Sequence, residues 1–340
     1  MRAERRGRGT IVTAAAIAVM IGASTGHAQT TVGECHMATF NGSAADACQK
    51  GRDLFAFVVP QVGVALSAGN PILGEGGTMG GWGRRALSFR LSAVEGYLPR
   101  NSVPITTALN PQPSDFGAER TYVPIPSADV AVGVFSGVPA GLTNVGGVDA
   151  LLGVTYVPKA SEGTFRIEPT TSAFAFSYGL RVGALQESSL VPGVSLSYMR
   201  RKLPTENIAY TPGNDTLNVN NIAITSNTWR LVASKRIAVV GLAAGVGRDD
   251  IEGTSSMNGV VNESLGGATL RSAVTLSDVR TKTKRNTAFV NASFGISAAR
   301  IVGEYGWSSA GTIEQTINQF GGRRANEAYR YASLGVTARF

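Results

Sequence analysis

The chain has 340 residues, of which 43% are hydrophobic, only 16% charged and 42 are glycine, with a formal net charge of +8. Glycine near 12% exceeds the usual value of about 7%. Apart from the N-terminal segment, the longest apolar run is Ile237 to Gly247, too short for a helical membrane span of about 20 residues.

The first 28 residues read as an export signal. Arg2, Arg5, Arg6 and Arg8 form a basic head, Ile11 to Ala23 an apolar middle, and Gly26 and Ala28 a small-residue cut site. Cleavage is expected after about Ala28. The 31 basic and 23 acidic residues then fall to 27 and 22, a net +5 that gives no argument for nucleic acid. Such a mild excess suits contact with anionic lipid heads or serves as dispersed solubilising charge.

Residues 29–83 form a segment of their own. Cys35 and Cys48 are the only cysteines, and an oxidising compartment predicts that they bond. His36 beside them leaves a zinc site one ligand short, so no metal is expected. Ala44 to Val59 reads as a short helix. Seven glycines follow within Gly69–Gly83, with neither a G-x-G-x-x-G nor a G-K-[ST] pattern. That stretch is either a plug or gate in a barrel lumen, or a periplasmic linker before the first strand.

From residue 84 to 340 the recurring unit is a short alternating segment. Leu87 to Ala93, Asp129 to Val134, Val148 to Tyr156, Phe174 to Gly183, Val194 to Arg201, Thr228 to Ser234, Gly241 to Gly247, Val290 to Ser297 and Ile301 to Trp307 are nine of these. The tenth, Arg330 to Phe340, carries the alternation to the last residue. One face is apolar, and the other is Gly, Ser, Thr and Ala with isolated charges. Apolar outside and small or polar inside is the pattern of a barrel in lipid, and lipid forces such a sheet to close on itself. The expected fold is an all-β transmembrane antiparallel up-and-down barrel of about 10 strands (range 10–14).

Connections alternate between short links (138–146, 186–189, Lys235–Arg236, Ala298–Arg300) and long ones (99–126, 158–171, 203–220, 250–286, 309–325). Short periplasmic turns and long outer loops give this parity for ten strands with both termini periplasmic. Ala268 to Val279 looks strand-like but breaks the parity alone, so it reads as a hairpin arm in the long outer loop or as one of a missed pair. Six prolines are expected to stiffen an irregular excursion over 99–126.

The signal segment, the alternating strands and the terminal "RYASLGVTARF" together resemble Gram-negative outer-membrane β-barrel proteins of an uncharacterised family. A more distant resemblance is to plugged transport barrels. The first resemblance implies outer-membrane lipid and lipopolysaccharide as surroundings. It also implies the barrel-assembly machinery as a partner, with Phe340 as the signal it reads.

Enzyme chemistry is not expected. After cleavage His36 is the only histidine and lies outside the strands, and no G-x-S-x-G elbow occurs. Asp249 and Asp250 are adjacent and read as a solvated loop edge or a weak calcium site. With the apolar face to lipid, Arg90, Arg181, Arg201, Arg230 and Arg339 point inward, as do Asp129, Asp149 and Glu304. These either favour anionic solutes in a pore or fill a narrow barrel with salt bridges. The expected function is passive or gated passage of small solutes, with no cofactor. The alternative is a non-conducting structural or binding barrel that displays its long loops.

Overall fold

The computed structural model describes residues 42–99, 112–162, 165–210, 216–265, 268–296, 298–313 and 316–340. The export signal, His36, Cys35 and the expected Cys35–Cys48 bridge therefore lie outside the described residues. Ten strands follow one another in chain order: β1 (Arg85–Pro99), β2 (Ala118–Phe135), β3 (Gly147–Tyr156), β4 (Phe174–Leu185) and β5 (Gly193–Lys202). They continue as β6 (Thr216–Ile237), β7 (Val240–Leu265), β8 (Ala268–Ile296), β9 (Ala299–Ser308) and β10 (Tyr329–Arg339). Each pairs antiparallel with the next. The last closes on the first, from Ala86↔Arg339 to Val94↔Tyr331. The result is a ten-stranded, up-and-down barrel.

Alternation decides which residues face where. In β3, Asp149, Leu151, Gly153 and Thr155 are buried inside while Leu152 and Tyr156 stand exposed. In β10, Tyr331, Ser333 and Thr337 are buried while Ala332, Leu334 and Val336 face out. Large apolar side chains stand exposed on every strand, among them Phe89, Phe135, Leu152, Phe176, Leu196, Leu231, Leu242, Phe294, Ile301 and Leu334. Such a belt would be a heavy aggregation liability in water and is the wall a bilayer requires.

The long connections depart from expectation. Pro124 and Pro126 are not in a loop but in β2, opposite Ala93 and Leu91. The β2–β3 ladder stops at Ser127, so both prolines lie where that side of β2 is open and a missing N–H costs no ladder bond. Residues 250–286 are likewise not an irregular loop. They are the continuation of β7 and β8, paired from Asp249↔Arg285 out to Leu265↔Ala268. Ala268 to Val279 is thus the outer arm of that hairpin. At about 3.3 Å per residue the 26 residues of β7 are far longer than the roughly 10 needed to cross. The sheet therefore rises well past the belt, and short strands Glu206–Tyr210, Phe165–Pro169 and Ala160–Glu162 add to its β6 edge. The β6–β7 turn falls at Ala238–Val239, not at Lys235–Arg236.

A helix, α1 (Gly42–Ser67), runs inside the ring. It is longer than the expected 44–59 and continues through Pro60, whose ring removes one helical hydrogen bond. Helix and following loop are so enclosed that no residue from Ala45 to Gly81 is exposed. The helix C-terminal end points toward the short turns, with Ser67 bonded to Arg230 part-way along β6, and its N-terminal end lies at the long-loop mouth, where Asp46 meets Gln112. Only the start of β1 and the end of β10, and not the described N-terminal end, therefore share the short-turn side.

Candidate functional site inside the barrel

The lumen is where the charged side chains meet. Seven of the eight residues singled out from the sequence are buried within it: Arg90, Asp129, Asp149, Arg181, Arg201, Arg230 and Glu304. Arg339 sits at the short-turn rim, its side chain 30% exposed. Asp129 is held between two guanidinium groups, Arg90 at 2.6 Å and Arg201 at 2.7 Å. Asp149 takes Arg181 at 2.8 Å.

Three residues that the sequence reading did not place inward complete the set. Asp249 is buried and pairs with Arg230 at 2.6 Å, so it is no solvated loop edge and does not act with Asp250. Arg285 is buried, donating to the carbonyls of Ser309, Glu327 and Ala325. Glu75, from the glycine-rich loop, is buried beneath Arg339, Arg236 and Arg300 at 3.3, 3.7 and 4.0 Å. The first two were legible: the inward series Gly245, Gly247 of β7 continues to Asp249, and Phe289, Thr287 of β8 runs back to Arg285.

These wall residues grip the backbone of the luminal segment. The last carbonyls of a helix have no intrahelical donor. Here the wall supplies donors: Arg230 gives hydrogen bonds to Ser67 O (2.9 Å) and Gly69 O (3.0 Å). Arg90 gives them to Ala68 O (2.8 Å), Asn70 O (2.9 Å) and Pro71 O (3.0 Å). Positive charge at this end also suits the helix dipole. The Glu304 carboxylate accepts from Asn70 N and from Asn291 Nδ2. Gly69 sits at φ +60° against that carboxylate, where a side chain would overlap it. Further on, Thr337 donates to Leu73 O, and Met79 N donates to Asp149. Gln61, in mid-helix, exchanges two hydrogen bonds with the backbone of Tyr97.

The other half of α1 is held differently. Gly63 and Gly253 let the helix lie close to the wall, against Ile251 and Val59 respectively. Cys48, Phe55, Val59, Met257, Leu276 and Val279 share one apolar cluster. Above it, Phe57 stacks on Phe320 at 4.3 Å, with Phe116 at 5.3 Å from Phe320. Phe116 and Phe320 belong to the β1–β2 and β9–β10 connections, which meet in a short parallel ladder. Asp53 accepts from the backbone and side chain of Asn318, and Asp46 accepts from Gln112 N. The long-loop mouth is thus capped by loops bonded to the helix.

A cavity of about 590 Å³ remains at the short-turn end, lined by Arg84, Arg85, Arg236, Arg339, Glu75, Glu187 and Phe340 among others. Phe340 itself is exposed, and its backbone exchanges two hydrogen bonds with Arg85, the first residue of β1. Among the described residues no group of His, Cys, Asp and Glu is arranged to hold a metal ion.

No family model matches the chain, and no curated protein sequence does. Among solved structures it is similar to the outer membrane protease OmpT from Escherichia coli, at 10% identity over 76% of this chain and 96% of that one, with a TM-score of 0.36. It is also similar to the translocator domain of the autotransporter NalP from Neisseria meningitidis, at 13% identity over 88% and 97%, with a TM-score of 0.33. A third is Neisserial surface protein A, at 9% identity over 76% and 97%, with a TM-score of 0.30.

Proposed function

We propose that this is an outer-membrane barrel closed at rest by its own N-terminal segment, and that small solutes pass only when that segment shifts. The observation that carries this reading is the enclosure of every residue from Ala45 to Gly81 by the ring. An open passive pore is disfavoured by the same fact. Glu75, under three arginines from β6, β9 and β10, is the latch of the lower end. The export signal is removed after about Ala28, and a Cys35–Cys48 bridge clamps the start of the helix. No enzyme activity is part of this reading.

Lipopolysaccharide is the expected lipid partner. Tyr198 and Trp229 pack together on the outer wall, 4.9 Å between ring centres. Just above them Arg200, Lys202, Arg248, Arg280, Lys282 and Lys284 stand on neighbouring strands, with Asp250, Glu252 and Asp278 as their acidic neighbours among the described residues. That band lies at the height where lipid phosphates begin. Phe340, on the terminal strand, is the feature read by the barrel-assembly machinery.

The second reading, a non-conducting scaffold that displays its loops, is favoured by one observation: the Phe57–Phe320 stack seals the outer mouth as well. Planar-bilayer recording separates the two. The gated reading expects a silent full-length barrel with brief openings that become more frequent in Glu75→Gln. A barrel silent in both forms, yet folded by heat-modifiable mobility, would leave the scaffold. Steady conductance from the unmodified chain would overturn the closed state altogether.

A further inference from the structure

The polarity of α1 within the ring has a topological outcome. Going backward along the helix, Ser67 lies against Arg230 of β6, Gly63 against Ile251, Val59 against Gly253 and Gly51 against Met257. The β7 contacts climb steadily away from Val240, the short-turn end of that strand. At the top, Asp46 accepts a hydrogen bond from Gln112 in a long connection. At the bottom, the chain leaves the ring at Trp82, which is exposed, and turns into β1 at Arg85. Below Ser67 the following loop continues down the lumen, with Leu73 O at Thr337 and Met79 N at Asp149, so helix and loop together span the ring. The chain therefore enters the ring at the long-loop mouth, runs its full depth, and only then begins the barrel.

We propose that the barrel carries its own N-terminal segment across the membrane, and that whatever chain precedes Gly42 is held on the cell exterior. This rests on the reading above in which the short turns face the periplasm. A secretory signal delivers the mature N-terminus to the periplasmic side, so the segment before Gly42 has been moved through the forming lumen. The barrel then acts as a display device for that segment. The grip that keeps it displayed is the set of bonds already described: Arg230 and Arg90 at the lower end of α1, Asp46 and Asp53 at the upper.

The test places one epitope at each of three positions in separate full-length proteins. One tag follows Gln29, one lies in the long connection at 211–215, and one lies in the short turn at Gly141. Antibody binding is compared on intact and on permeabilised cells, after heat-modifiable mobility has confirmed a folded barrel. The expected result is equal labelling on intact and permeabilised cells for the Gln29 and loop tags. The Gly141 tag should gain at least tenfold on permeabilisation. A loop tag seen on intact cells, with the Gln29 tag seen only after permeabilisation, would overturn the display proposal and leave the orientation standing. A Gly141 tag seen on intact cells, with the loop tag hidden, would overturn the orientation and the proposal together.

Discussion

The two ends of the luminal helix are held by different physics. At the C-terminal end, guanidinium and carboxylate groups from the wall bond single backbone atoms of Ser67, Gly69 and Asn70. At the long-loop end, aromatic and aliphatic side chains around Phe57 and Phe320 form most of the contact, and Asp53 and Asp46 add hydrogen bonds to Asn318 and Gln112 of the capping loops. Directional bonds to buried charges are costly to leave unmade, so the lower end fixes depth and rotation. Apolar packing is non-directional, so it tolerates small slides while it keeps water out. The difference assigns register to the lower end and closure to the upper.

The sharpest way to break that division is Arg230→Met. It leaves Asp249 buried without its cation, which typically costs about 3–5 kcal/mol. The lower end of α1 should lose hydrogen-exchange protection at residues 63–70, while the Phe57–Phe320 cap stays protected. Joining it with Asp249→Leu should restore most of the lost stability, because the unpaired charge is gone. Protection lost equally at both ends would erase the distinction.

Phe320→Ala should cost about 3 kcal/mol by emptying a fully buried ring site. Its effect belongs at the outer mouth, read as faster proteolysis within residues 112–117 and 316–325. Gly69→Ala ranks next, at roughly 2 kcal/mol for a left-handed backbone alone, plus the displacement of Glu304. Here the readout is exchange at Asn70 N, which loses its acceptor.

A smaller, local effect should depend on pH. Glu206 lies in the ladder beyond the membrane belt, only 4% exposed, and its carboxylate oxygens have no hydrogen-bond partner among the described residues. Burial pushes its pKa up to about 7 from 4.5. With the folded value raised, the contribution to stability is complete below pH 4.5 and is lost as pH rises through 7. Amides of Ile208 and Val219, which pair in this ladder, should exchange faster at pH 8 than at pH 5 after correction for intrinsic rates. Glu206→Gln should flatten that dependence.

The barrel was largely legible because each strand obeys a period of two inside the lipid zone, where one face must be apolar. Legibility ended where that constraint ends. Beyond Asp249 and Arg285 the outward face of the β7–β8 hairpin is polar, and the inward face meets α1 through only a few apolar residues such as Ile251, Met257, Leu276 and Val279, so the alternation is sparse and the arm reads as loop. The same lapse left Asp249 among the solvated residues, although it sits one pleat beyond Gly247. Helix α1 was read short because Pro60 and the valines around it lower helix propensity, and tertiary enclosure overrides that preference. Glu75 carried no periodic signal at all. Its burial depends on Arg236, Arg300 and Arg339 converging from three strands, a fact of ring closure rather than local sequence.

The seam between β1 and β10 sets an order on assembly. Ala86 and Arg339 are 253 positions apart along the chain, yet they pair, and such remote pairings form late because the intervening chain must first be confined. The luminal segment immediately precedes β1, so a segment already in place when the seam zips shut is enclosed by it. Once zipped, the molecule is a ring threaded by its own chain. Sideways escape then requires breaking an interstrand ladder, which makes the retention of the helix a matter of rate and not only of equilibrium.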